Sequence, residues 1–244
     1  NAVYKHASEN NFMNPKTKTD VDNGQNHCWL NAPLYALISH KQFLVDEQIG
    51  VDFDVSWNEA YYEELIDKFK KKNIFKDYIK GKPYAANEGI QALFNAYGNQ
   101  AEYEFYEISP QNVRTTELFV TELSKKNWYP LAIITATRCV DATYKQARNG
   151  DFSHYIAYSY DVSNNKYLKF DAHKQGTTEN TYFALDEIPM CRSDYDQSKE
   201  DTNKNLLNSV FVICPKDNAV DLKDVVFSLE ENDKKNETRE SNNS

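Results

Sequence analysis

The apolar residues change period at Pro130, and that change restricts the folds open to this chain. Before it they recur at helical spacing. Leu30, Leu34, Leu37 and Ile38 line a helix that begins at Cys28. Pro33 falls near its start, where a missing N–H costs little, although it could also bend the helix. Trp57, Tyr61, Leu65 and Phe69 repeat every four residues and predict an amphipathic helix through Lys72. A third helix is expected over 87–97, with Ile90, Leu93, Phe94 and Tyr97 inward and Gly98 as its C-cap. A fourth starts at Thr115 or Thr116 and buries Leu118, Phe119 and Leu123. After Pro130 the segments 131–140, 154–160, 166–170 and 210–214 are β-branched and aromatic runs separated by turn residues. Helices first and antiparallel strands second predict an α+β fold: a helical subdomain, then a β-sheet subdomain, with a cleft between them. One domain is expected over 21–229. Residues 1–20 read as a loosely ordered lead-in, and 230–244, polar throughout, as a disordered tail.

Charge and cysteine usage narrow the function classes. The net charge of -9 argues against a nucleic-acid-binding surface and suits a basic partner. Cys28, Cys139, Cys191 and Cys214 form no C-x-x-C pair, so neither structural zinc nor any other metal is expected. Cys139 and Cys214 read as buried strand residues and Cys191 as part of a polar loop. Four cysteines do not make a disulfide framework, which favours a reducing, cytoplasmic setting. No apolar run approaches the ~20 residues of a membrane span. A monomer needing no cofactor is the expectation.

The chemistry concentrates in three places. A polar, glycine-containing loop over 22–26 leads into His27-Cys28-Trp29-Leu30-Asn31-Ala32. That puts Cys28 at a helix N-terminus, where the helix dipole and N–H groups favour a nucleophilic thiolate. The alternative for Cys28 is a small buried hydrophobe. His154 opens the strand Ser153-His154-Tyr155-Ile156-Ala157-Tyr158 and is the candidate general base. Asp171 ends the next strand and is the candidate that orients the imidazole. The two strands are neighbours in sequence, so their ends can meet. His173, two residues later, is a competing base. An oxyanion hole needs a second donor beside the Cys28 N–H, and Asn23, Gln25 and Asn26 are all candidates.

Three blocks in this order resemble the ubiquitin-specific proteases, papain-like cysteine hydrolases. Asn23, Cys28, Trp29 and Asn31 fit the family's cysteine box. His154, Tyr155, Ala157 and Tyr158 fit its histidine box, and Tyr167, Lys169, Phe170 and Asp171 the strand that follows. The run Ser209-Val210-Phe211-Val212-Ile213-Cys214 is similar to its last core strand. The cysteine block is also similar to picornaviral leader proteases and to viral papain-like proteases generally. The resemblance implies a papain-like fold, with Cys28 as nucleophile, His154 as base, Asp171 as orienting acid and Asn23, rather than Gln25, as oxyanion donor. It implies that Trp29, Ser153 and Tyr155 border the substrate. The implied activity is a cysteine isopeptidase that cuts after the C-terminal glycine of ubiquitin or a ubiquitin-like protein. A papain-like endopeptidase is the alternative. Two departures stand out. Ser153 replaces the glycine that lines the family's passage for a Gly-Gly tail, and 32–129 is too short to hold zinc-bearing fingers.

Overall fold

The computed structural model describes residues 27–40, 43, 56–82, 84–109, 113, 115–138, 153–161, 163–172, 178–179, 181–190 and 207–216. Helix α1 (Cys28–Ile38) is followed by α2 (Glu59–Lys71), α3 (Ala86–Tyr97), strand β1 (Tyr103–Ile108) and α4 (Thr116–Lys126). Then come β2 (Ala132–Arg138), β3 (Ser153–Asp161), β4 (Lys166–Ala172), the short β5 (Thr178–Glu179) and β6 (Tyr182–Phe183), and β7 (Leu207–Pro215). The sheet order is β1-β7-β2-β3-β4-β5, with β6 also on β4, and every described pairing is antiparallel. The α+β architecture matches the change of period at Pro130.

Local chemistry explains the helix limits. Asn58 caps α2 by accepting the Tyr61 N–H at 3.0 Å, and Lys68, Lys70 and Lys71 complement its C-terminal end. Thr115 caps α4 in the same way through the Leu118 N–H at 3.1 Å. The αL conformation of Asn127 ends α4. All eleven residues of α1 are buried. It is therefore a central helix surrounded by protein, not an amphipathic surface helix.

Three sequence expectations are corrected. Trp57 precedes the N-cap of α2 instead of lying in the helix, because Asn58 supplies the cap that starts it. Leu118 is 46% exposed, while Phe119 and Leu123 carry the packing of α4. Gly98 is the C-cap of α3, as expected, with an extended backbone (φ -78°, ψ 149°). Strand β1 lies between two helices in sequence yet joins β7 at the far side of the sheet, so the helical and strand halves interleave. Residues 1–20, 230–244, Cys139 and Cys191 lie outside the described residues. Cys214 is buried in β7, as expected.

The core is unusually aromatic. Tyr35 of α1 stacks on Phe170 of β4 with ring centroids 4.2 Å apart, and Trp57 meets Phe170 edge-on at 5.9 Å. Gly89 of α3 passes so close to α1 that a Cβ there would sit 2.2 Å from the Trp29 carbonyl oxygen. Pro33 lies inside α1 and lacks the N–H that would normally bond that same carbonyl four residues back. Glycine thus lets α3 cover the backbone group that proline leaves unserved by the helix.

Candidate active site

Cys28 is the first residue of α1, 8% exposed and reduced. Its N-cap residue His27 makes no side-chain capping bond, and the first turn has no acidic residue. No carboxylate of that turn therefore offsets the positive end of the helix dipole. The His27 carbonyl accepts the Leu30 and Asn31 N–H groups at 2.9 and 2.8 Å. The His27 ring stacks flat on Tyr62 of α2 (4.2 Å, 12°), tying the start of α1 to α2.

Two strands bring the partners. The β3–β4 ladder ends at Ala157 and Phe170, and His154 and Asp171 lie just beyond it on their strands. The turn joining these strands is held by Asp161. Its carboxylate accepts the Ser163 N–H (3.1 Å), the Asn164 amide (2.6 Å) and the Tyr182 hydroxyl (3.0 Å). With the register fixed, His154 Nε2 lies 2.5 Å from Asp171 Oδ1. The imidazole also hydrogen-bonds the Cys28 side chain. Nε2 is the ring nitrogen that the carboxylate engages.

Matching lengths bring the cysteine to the histidine. Ser39, the C-cap of α1, is joined to Ser159 of β3 by a buried 2.7 Å hydrogen bond between hydroxyls. From Ser39 back to Cys28 is eleven residues, about 16 Å of helix. From Ser159 back to His154 is five residues, about 17 Å of strand. The two elements leave the serine contact side by side and reach the site at the same distance.

Electrostatics favour a charged imidazole. Burial of His154 pushes its pKa down, but the hydrogen bonds to Asp171 and Cys28, and the negative charge of each, outweigh it. The result stands well above the ordinary histidine value. The His154 side chain is 23% exposed, while the carboxylate behind it is 10% exposed and shielded. Asp171 Oδ2 faces Lys169 Nζ at 4.0 Å. Lys169 belongs to the Lys-Phe-Asp run, but sequence reasoning gave it no role. Its place two residues from Asp171, on the same strand face, was the available signal.

The remaining expected site residues are distributed unevenly. Trp29 is 1% exposed and packs against Phe75 (5.4 Å), Tyr84 (4.9 Å) and Tyr78 (6.5 Å), so its surface is occupied by the core. Tyr155 is 8% exposed and sits opposite Ala136 on β2. Ser153 opens β3 opposite Arg138. Asn23, Gln25, Asn26 and His173 lie outside the described residues.

No helix among the described residues is long and apolar enough to cross a membrane. No family model, curated protein or solved structure matches this chain.

Proposed function

We propose that this chain is a papain-like cysteine isopeptidase that cuts after the C-terminal glycine of ubiquitin or a ubiquitin-like modifier. The observation that carries the chemistry is the connected set of Cys28 sulfur, His154 imidazole and Asp171 carboxylate at a helix N-terminus. The choice of modifier rests on the resemblance of the three sequence blocks. In the proposed reaction, the Cys28 thiolate attacks the glycine carbonyl. The Cys28 N–H and the Asn23 amide receive the oxyanion. The His154 imidazolium protonates the departing lysine amine, leaving a thioester. His154, now neutral, takes a proton from water as the water attacks, and collapse of the second tetrahedral intermediate returns Cys28. Asp171 holds the ring orientation throughout.

Covalent capture tests this reading. The protein and its Cys28→Ala variant are incubated with ubiquitin and ubiquitin-like proteins bearing a C-terminal electrophile, and intact mass is measured. A mass increase for one modifier, lost in the variant, is expected. If no modifier reacts while a small papain-type inhibitor labels Cys28, the isopeptidase reading fails and ordinary endopeptidase chemistry replaces it. Labelling of neither kind would reject Cys28 as a nucleophile.

A further inference from the structure

Residues 68–82 present a basic surface in a chain that is acidic overall. Residues 68–82 contain seven lysines against one aspartate, while the whole chain carries -9. The segment is folded back on itself by left-handed turns at Asn73, Phe75 and Gly81. Three of its lysines are engaged locally. Lys68 faces Glu64, Lys80 bridges Glu59 and Glu63, and Lys72 donates to the Ala96 carbonyl at 2.8 Å. Lys70, Lys71, Lys76 and Lys82 are exposed and take part in none of the ion pairs among the described residues.

Two of these four are fixed in place by aromatic rings. Lys70 Nζ lies 5.9 Å from the centre of the Tyr78 ring, and Lys82 Nζ lies 4.9 Å from that of Tyr84. The two tyrosines stack on each other at 5.6 Å and 16°. The ammonium groups thus flank a rigid tyrosine pair. Between them in sequence, Ile79 is 60% exposed, and its N–H is held by the Tyr84 hydroxyl at 2.8 Å. An exposed isoleucine held by its backbone beside spaced, unneutralised ammonium groups is a surface with both an apolar anchor and a charge preference.

We propose that this surface, centred on Lys70, Ile79 and Lys82, docks an acidic polypeptide segment that contributes an apolar side chain to Ile79. Charge complementarity selects an acidic occupant. The occupant's class follows from three further features. The segment contains no arginine, the residue suited to forked phosphate recognition. The net charge of the chain repels a long polyanion such as a nucleic acid. A single exposed isoleucine is too little apolar area to enter a bilayer. A short acidic segment meets the local charge without bringing a large anionic surface against the rest of the molecule. The proposal does not depend on Cys28 being a nucleophile.

The test uses the full chain and a fluorescein-labelled peptide of repeated glutamate, glutamate and leucine, read by anisotropy. Saturable binding below about 100 µM is expected, weakening as salt rises because exposed charges are screened. The double variant Lys70→Glu/Lys82→Glu should weaken it at least about tenfold, and Ile79→Ser by a smaller factor. Unchanged melting of both variants, whose altered side chains are exposed, separates lost docking from lost fold. Absence of salt-sensitive binding overturns the proposal, as does equal binding by the double variant. Preferential binding to phosphatidylserine vesicles or to single-stranded DNA overturns it too, by assigning the surface to another kind of partner.

Discussion

His154 is the residue on which the proposed chemistry turns, because its contacts with Asp171 and Cys28 raise its pKa well above the ordinary value against the opposing effect of burial. Catalysis by an imidazolium is lost only when that proton leaves. The alkaline limb of kcat/KM should therefore lie well above the ordinary histidine pKa of 6.5, following the raised value of His154. Asp171→Asn removes one of the two charges that raise it. That variant should move the alkaline limb down and lower kcat/KM by at least about a hundredfold. A pH–rate profile on any substrate identified by covalent capture reads both effects. An unmoved limb would remove Asp171 from the mechanism. Lys169, 4.0 Å from the same carboxylate, makes the site an alternation of charges in which Asp171 is shared between two cations.

At the scale of elements, the contact between α1 and α3 controls how Cys28 is presented. A methyl group on Gly89 would lie 2.2 Å from the Trp29 carbonyl oxygen, a backbone atom that cannot rotate away. Gly89→Ala should therefore force the helices apart and destabilise the fold by about 1–3 kcal/mol or more. Thermal unfolding checks this, and the rate of Cys28 labelling in the same variant should fall, because Trp29 is the next residue along. A substitution with no effect on either would mean that α3 yields without disturbing α1. The helical propensity of alanine exceeds that of glycine, so any loss has to come from the contact and not from the helix itself.

Across the whole molecule, two histidines shift in opposite directions and shape the response to pH. His40 is fully buried, and burial lowers its pKa to about 3. Between about 3 and 6.5 the unfolded chain binds a proton at His40 that the folded chain does not, so stability falls as pH falls through that window. His154 acts on the other side. Its stabilising contribution is complete below 6.5 and declines as pH rises from there through its raised folded value. Denaturant unfolding from acid to alkaline pH should therefore give a dome. His40→Gln should flatten the acid limb even if its overall stability is lower. An acid limb unchanged by that substitution would place the acid sensitivity in the carboxylates.

The sequence by itself determined the kinds of element and the candidate reacting groups. Helical spacing before Pro130 and β-branched runs after it set the α+β class, because side-chain period follows backbone geometry. Cys28, His154 and Asp171 were legible because each stands at the end of an apolar element, where a polar group can meet solvent or a partner. The sequence left other features open for physical reasons. The run Tyr103–Ile108 is short, and its pairing with β7 spans about a hundred residues, so no local pattern announces it. The resemblance set Trp29 beside the substrate, but Phe75, Tyr78 and Tyr84 arrive from a distant segment to bury it. Tertiary structure alone decided that Cys28 and His154 meet. Eleven residues of helix and five of strand have nearly equal length, and both are measured from one buried contact, Ser39 to Ser159. A hydrogen bond between serines 120 positions apart leaves no trace in periodicity or composition, because it depends on the packed distance between elements and not on the chain near either residue.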